Sequence, residues 1–160
     1  MIKKRNISFY SKIGSDIPAF LYGKDCLVTG KGNKISKSNY YKKYYCILVK
    51  PNINISTKKM YDNLKIKKSR KVNYFKNIKN FSNSTYLSLV NDFENIAINK
   101  YPKIKSLLNY LRTFDEAIIS RMSGSGSTCY LLFDKKISAK NSFRKIKKKY
   151  PNYWSFLGEN

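Results

Sequence analysis

The chain has 160 residues, enough for one domain with a real core, and its 42% apolar and 15% aromatic content excludes a disordered polypeptide. It contains no histidine, which excludes Ser-His and Cys-His nucleophile systems and histidine-ligated metals, and Cys26, Cys46 and Cys129 are too far apart for a disulfide framework or a zinc site. The formal charge of +24 predicts attraction to polyanions. No apolar run has the length of a membrane span or of a signal-peptide core, so we expect a cytoplasmic protein, with its three thiols reduced and buried.

Two short runs of apolar and β-branched residues predict strands, at residues 26–29 and 44–49. The stretch between them contains Gly30, Gly32 and many Ser, Asn and Lys residues, and it predicts a loop that joins the two strands. Pro51 predicts the end of the second strand because proline has no amide hydrogen for a ladder bond.

A short helix is predicted next, with Ser56 or Thr57 as its N-terminal cap. Its apolar residues are Met60, Tyr61 and Leu64. Residues 65–83 are polar and predict irregular structure.

Two core-facing helices are predicted between residues 86 and 111, because apolar residues recur there every three or four positions. The apolar residues of the first are Tyr86, Leu89, Val90, Phe93 and Ala97. Those of the second, which follows Pro102, are Ile104, Leu107, Leu108 and Leu111.

The last part of the chain predicts strands at residues 117–119 and 129–133, a final helix, and a terminal strand around residues 153–157. The helix has an apolar side, formed by Ala139, Phe143, Ile146 and Tyr150. A second side is basic and is most simply a solvated face, formed by Lys136, Lys140, Arg144 and Lys148. Because strands and helices interleave without regular βαβ units, we predict an α+β fold, a mostly antiparallel sheet backed by helices.

Asp16 is the first candidate for chemistry, since only nine residues of the chain are acidic. It lies between Gly14, which permits a close approach, and Pro18, which suits the first turn of a helix. A carboxylate there can orient or deprotonate a substrate hydroxyl. The alternative is that Asp16 only caps the helix.

The second candidate is the sequence Arg-Met-Ser-Gly-Ser-Gly-Ser-Thr at residues 121–128. Alternating Gly and Ser allows backbone amides to converge on an anion, and the hydroxyls add further donors. The segment lacks the spacing and the Gly-Lys-Ser/Thr ending of a Walker loop. The alternative is an ordinary hairpin connection between two strands.

Four motifs in the same order resemble those of the 4-diphosphocytidyl-2-C-methyl-D-erythritol kinases, a family of the GHMP kinase superfamily. They cover the chain from about residue 10 to its end. They are Gly-Ser-Asp-Ile-Pro at 14–18 with Gly-Lys-Gly at 30–32, the strand at 45–51 with Ser56 and Thr57, Asn-Asp-Phe-Glu at 91–94, and the Ser/Gly segment at 122–127, which resembles the third GHMP signature.

The resemblance implies ATP-dependent phosphorylation of the 2-hydroxyl of 4-diphosphocytidyl-2-C-methyl-D-erythritol in isoprenoid precursor biosynthesis, with ATP and Mg²⁺ as cofactors. It implies that Asp16 is the catalytic base. It assigns Thr57 and Tyr61 to substrate binding, Tyr61 by stacking on the cytosine ring, with a core contact as the equal alternative for Tyr61. It assigns the support of the nucleotide phosphates to Gly124, Ser125, Gly126 and Ser127. No residue is assigned to a metal.

The start of the chain departs from the family pattern. The family's N-terminal lobe carries a catalytic lysine and a Gly/Ser-rich phosphate loop, and neither motif occurs here. We therefore expect residues 1–160 to form a GHMP kinase C-terminal domain, with a short piece of the preceding lobe at about residues 1–30. A separate N-terminal lobe becomes a candidate partner, and the isolated chain is expected to be inactive.

The alternative function is a small basic α+β module that binds RNA through charge and stacking on Tyr and Phe. No RNP-like motif of aromatic and glycine residues is present. Lys, Asn, Ile, Tyr and Ser are enriched together along the whole chain, as AT-rich codons would produce, and no block concentrates the charge. The composition therefore favours a solvated basic surface over a specific nucleic-acid partner.

Overall fold

The computed structural model describes residues 4–24, 26–30, 34–37, 43–64 and 90–159. They belong to two compact units, the first with the described residues up to 37 and the second with residues 43–64 and 90–159. The predicted irregular segment at 65–83, together with Tyr86 and Leu89 of the predicted helix, lies outside the described residues.

The first unit contains two helices and a two-stranded antiparallel sheet. Its elements are α1 (Lys4–Ile13), α2 (Ile17–Tyr22), β1 (Cys26–Thr29) and β2 (Lys34–Lys37). Pro18 lies in the first turn of α2, as predicted. The prediction of a loop over residues 34–37 was wrong, because β2 pairs with β1 along its whole length. This strand exposes three of its four residues, so no buried face gave its sequence a strand-like alternation.

The second unit is a four-stranded antiparallel sheet covered by helices, which confirms the predicted α+β fold. Its elements are β3 (Tyr45–Lys50), α3 (Thr57–Asn63), α4 (Asp92–Lys100), α5 (Pro102–Leu111), β4 (Ile119–Met122), β5 (Cys129–Phe133), α6 (Lys136–Lys149) and β6 (Trp154–Glu159). The strand order is β4-β5-β3-β6, and each neighbouring pair is antiparallel.

The core lies between the helices and one face of this sheet. The sheet contributes fully buried Ile47, Val49, Cys129, Leu131 and Phe133. The helices contribute fully buried Met60, Ala97, Ile104, Leu107, Leu108, Leu111, Ala139 and Ile146. The apolar stripes predicted for α5 and α6 are therefore confirmed, and each large aliphatic side chain contributes about 1.5–3 kcal/mol by leaving water.

Two predicted boundaries were wrong. Helix α4 begins at Asp92 rather than near residue 86, and Val90 precedes it with 78% of its side chain exposed. The strand predicted at 117–119 instead spans Ile119–Met122, because backbone pairing with β5 continues through the polar residues Ser120 and Arg121. An apolar run marks the part of a strand that is buried, whereas hydrogen bonding decides where the strand ends.

All three cysteines are free thiols, but only Cys129 is buried, whereas Cys26 and Cys46 are partly exposed. None of the described helices combines the length and the apolar character that crossing a bilayer requires.

Candidate functional site

The Ser/Gly loop, residues 123–128, connects β4 to β5. Two hydrogen bonds close it: the Ser123 amide donates to the Thr128 carbonyl at 2.9 Å, and the Gly126 amide donates to the Ser123 carbonyl at 2.9 Å. The loop is thus a hairpin connection, as the alternative interpretation predicted. The amides of Gly124 and Ser125 have no partner among the described residues, so they are available to an anion.

The loop depends on two glycines with positive φ, 51° at Gly124 and 86° at Gly126. A side chain at Gly124 would meet nothing within 4 Å, whereas a Cβ at Gly126 would lie 2.8 Å from Sδ of Met122 and 3.3 Å from Cδ1 of Ile55. Alternating Gly and Ser therefore reflects backbone conformation at both glycines and close packing at the second.

Helix α3 brings Thr57 to the loop. Ser56 is the N-cap of α3, and its Oγ accepts a hydrogen bond from the Lys59 amide at 3.3 Å. The next residue, Thr57, shares a 2.9 Å hydrogen bond with the hydroxyl of Ser125. On the other side of the loop, buried Ser127 donates from its Oγ to the Ile53 carbonyl at 2.9 Å. The structure therefore joins Thr57 to Ser125, and it ties Ser127 separately to the segment that follows β3.

Tyr61 lies one turn further along α3 and is 58% exposed. Its ring makes a T-shaped contact with Phe93, with 4.9 Å between the centroids. Tyr61, Phe93, Arg121, Ser123 and Gly124 are among the residues that line a groove of about 520 Å³. Tyr61 is thus a groove residue with one aromatic contact and is not part of the buried core. Its stacking on cytosine stays a prediction.

Asn91, for which the sequence predicted no role, also contacts the loop. It is the N-cap of α4, where its Oδ1 accepts from the Phe93 amide at 3.1 Å. Its Nδ2 donates to the carbonyls of Met122 at 2.9 Å and of Gly124 at 2.8 Å. The Asn-Asp-Phe-Glu motif includes this residue. No local sequence pattern predicts its hydrogen bonds to Met122 and Gly124, which lie more than 30 positions away in the chain.

Glu94, one turn after Asn91, contacts the residue at the base of the loop. Its Oε2 accepts from the Met122 amide at 2.7 Å, and its Oε1 accepts from Nη2 of Arg112 at 2.6 Å. The pKa of the neighbouring Cys129 thiol is raised to about 12, chiefly by burial and to a smaller extent by the charge of Glu94, while Arg112 acts in the opposite direction. Cys129 is therefore a neutral thiol of the core without nucleophilic character.

Asp16 belongs to the first unit. It occupies the N-cap position of α2, yet its side chain makes no capping hydrogen bond. Its Oδ1 accepts from the Ser15 hydroxyl at 3.1 Å. The alternative that Asp16 serves as a helix cap accounts for its position but not for its carboxylate.

The match to a known family defines the class of protein. Residues 66–152, more than half of the chain, match the family described as GHMP kinases C terminal. The chain belongs to this family, which confirms the resemblance seen in the motifs.

The relatives point to one kind of kinase. The chain is 32% identical over 157 residues to the 4-diphosphocytidyl-2-C-methyl-D-erythritol kinase of Anaplasma marginale strain Florida, covering 93% of this chain and 53% of that protein. It is 36% identical over 153 residues to the kinase of the same name from Thermodesulfovibrio yellowstonii, covering 90% of this chain and 52% of that protein. The chain thus spans about half the length of the curated relatives it matches.

A solved structure supports the fold. The crystal structure of a 4-(cytidine 5'-diphospho)-2C-methyl-D-erythritol kinase superposes with a TM-score of 0.74 at 16% identity, over 96% of this chain and 56% of that one.

Proposed function

We propose that this chain is the C-terminal part of an enzyme that transfers the γ-phosphate of ATP to the 2-hydroxyl of 4-diphosphocytidyl-2-C-methyl-D-erythritol, a step of isoprenoid precursor biosynthesis in the cytoplasm. The observation that carries the proposal is the Ser/Gly loop. Two positive-φ glycines leave the amides of Gly124 and Ser125 without a partner in the described part of the chain, beside the hydroxyl pair of Thr57 and Ser125.

In this proposal the loop supports the phosphates of the nucleotide. Unpaired amides at a glycine turn form a concavity with positive partial charge, which suits a phosphate oxygen. Ser125 adds a hydroxyl whose position is fixed by Thr57, 2.9 Å away. The donors present therefore fit a polyphosphate.

Mg²⁺ would neutralise charge on the transferred phosphoryl group when bound. The described residues contain no group of three or more potential metal ligands. We therefore assign no residue of this chain to the ion, which commonly takes most of its ligands from phosphates and water.

Asp16 is the proposed base. Its carboxylate makes no capping bond to the described helix, and it retains acceptor capacity beyond the hydrogen bond from Ser15. It would accept or orient the proton of the attacking hydroxyl, so that the oxygen lone pair points at phosphorus.

Thr57 and Tyr61 are the proposed substrate contacts. The exposed ring of Tyr61 offers an aromatic surface on which a cytosine can stack, a contact worth about 1–3 kcal/mol. Thr57 lies at the first position of the same helix and contacts the loop, so it would place substrate and phosphates side by side.

An N-terminal lobe is the proposed partner, because the chain covers about half of its relatives. The isolated chain is then expected to bind ATP weakly and to show no phosphoryl transfer.

The test combines the purified chain with the N-terminal half of the Anaplasma marginale kinase, ATP and the diphosphocytidyl substrate. We expect turnover only when both parts are present. Asp16→Asn should lower kcat by about 10²–10⁴-fold because the hydroxyl loses its base. Asp115→Asn removes an equivalent charge from an exposed position and should leave kcat unchanged. Normal turnover by Asp16→Asn would refute the role of Asp16, and strong activity of the chain alone would refute the need for a partner lobe.

A further inference from the structure

Asn91 uses both ends of its side-chain amide. The oxygen caps α4 through the Phe93 amide, and the nitrogen donates to the Met122 and Gly124 carbonyls. One side chain therefore connects the start of a core helix to both sides of Ser123, at the entrance of the Ser/Gly loop.

The Met122 and Gly124 carbonyls lie beside the amides that are available to an anion, so their orientation affects anion binding. A carbonyl oxygen carries negative partial charge and repels a phosphate, whereas an amide N–H attracts one. Gly124 contributes both groups: an N–H that no described residue accepts, and a carbonyl held at 2.8 Å by Asn91. With its oxygen held by Asn91, the residue keeps its amide available to an anion.

We propose that Asn91 is a positioning residue that fixes the Ser/Gly loop in its anion-accepting conformation by holding the Met122 and Gly124 carbonyls. The effect of Asn91 on ATP binding rests on the proposed function of the loop. Asn91 acts through the loop backbone and is not assigned a contact with substrate.

Glu94 completes this arrangement from the next turn of α4. It accepts from the Met122 amide at 2.7 Å, while Asn91 holds the carbonyl of the same residue at 2.9 Å. Arg112 compensates the carboxylate charge at 2.6 Å. The amide and the carbonyl of Met122 are thus hydrogen-bonded to Glu94 of α4 and to its N-cap, Asn91. These bonds fix the position of the residue that precedes the loop.

The chemistry at position 91 requires an amide rather than a carboxylate. Asp caps a helix as well as Asn does, but it has no N–H donor. In Asn91→Asp a carboxylate oxygen would face the Met122 and Gly124 carbonyls at the distances of 2.9 and 2.8 Å now occupied by hydrogen bonds. Asn91→Ser removes the same amide donors without adding charge.

Amide hydrogen exchange measured by NMR on the 160-residue chain tests the inference. Both Asn91 variants should exchange the closing amides, Ser123 and Gly126, at least about fivefold faster, since two hydrogen bonds that anchor the loop are lost. The Phe93 amide should keep its protection because Asp and Ser both cap. Asn95→Asp, at an exposed position of the same helix, adds the same charge and should leave the loop unchanged. Unchanged exchange at Ser123 and Gly126 in both Asn91 variants would overturn the inference.

An ATP titration separates this inference from the proposed function. With the N-terminal half of a relative present, the Gly124 and Ser125 resonances should shift with ATP, and Asn91→Asp should need at least about fivefold more ATP for the same shift. Equal ATP dependence in the wild type and Asn91→Asp would count against the consequence for ATP. If the Gly124 and Ser125 resonances of the wild type do not shift with ATP, the result would count against the proposed function. The rate of amide exchange at Ser123 and Gly126 would still decide the role of Asn91.

Discussion

Gly124 and Gly126 share a positive φ but have very different surroundings. Both have positive φ, yet a Cβ would enter open space at Gly124 and would press on buried Met122 at Gly126. The pair therefore separates the cost of backbone strain from the cost of overpacking within a single loop.

Gly124→Ala should destabilise the chain by about 1–2 kcal/mol, the cost of a left-handed residue with a side chain. Gly126→Ala should cost more, about 2–4 kcal/mol, because Met122 is buried and must move to admit the methyl group. Urea unfolding followed by circular dichroism measures both. Equal losses for the two variants would show that Met122 adapts freely and that strain alone decides.

Residue types with a local signature were predictable from the sequence, and their partners were not. Asp16 two positions before Pro18, the Gly/Ser alternation, and Tyr61 on a short helix are visible in the linear order. The bond between Thr57 and Ser125 spans 68 positions, and the bonds of Asn91 to the loop span 31 and 33. Such pairs depend on the sheet register and the helix packing, which a single sequence does not encode locally.

Helix α6 shows how well the spacing of apolar residues in the sequence predicts which side of a helix is buried. Its predicted apolar residues Ala139 and Ile146 are fully buried, and its predicted basic residues Lys140, Arg144 and Lys148 are exposed. Ile137 in the first turn breaks the pattern with 63% exposure, although its side chain is identical to that of Ile146.

Ile146→Ala should destabilise the chain by about 2–5 kcal/mol, because it leaves a cavity against the sheet. Ile137→Ala is the matched control and should change stability by less than about 0.5 kcal/mol, since this side chain is mostly solvated. Thermal unfolding and urea titration give both values. A large loss at Ile137 would contradict the solvated position that the structure gives this side chain.

Strands were missed or misplaced where polar residues form the backbone hydrogen bonds of the sheet. Strand β2 has the sequence Lys-Ile-Ser-Lys, and β4 continues through Ser120 and Arg121 to Met122. The helix that begins at Asp92 was predicted too early, because apolar residues continue before Asn91, whose side chain is the cap. Apolar patterning reports burial, while pairing and capping set the ends of elements.

At the scale of the whole molecule the charge is spread over many elements. Exposed basic residues occur on α3, α4, α5 and α6, with Lys58, Lys100, Lys103 and Lys140 as examples. Since charges further apart than a Debye length of about 8 Å act largely independently in physiological salt, such a surface attracts polyanions without defining a site.

The kinase proposal and its RNA-binding alternative differ in how they use this charge. A specific nucleic-acid binder that contacts six to ten phosphates loses about 10³–10⁵ in affinity between 50 and 200 mM salt, because it releases condensed counterions. We expect instead that the chain binds RNA weakly at 150 mM salt, with Kd above about 1 μM, and without regard to sequence. Fluorescence anisotropy with several RNAs of equal length measures this.

The same anisotropy assay, run on Asp16→Asn together with the N-terminal half of a relative, links binding to catalysis. Removing one carboxylate from a chain of formal charge +24 should leave RNA binding nearly unchanged while phosphoryl transfer is lost. The two activities then depend on different features, the composition of the surface on one side and a single acid on the other. Submicromolar, sequence-selective RNA binding, combined with normal turnover by Asp16→Asn, would falsify the kinase proposal and favour a nucleic-acid function for this fold.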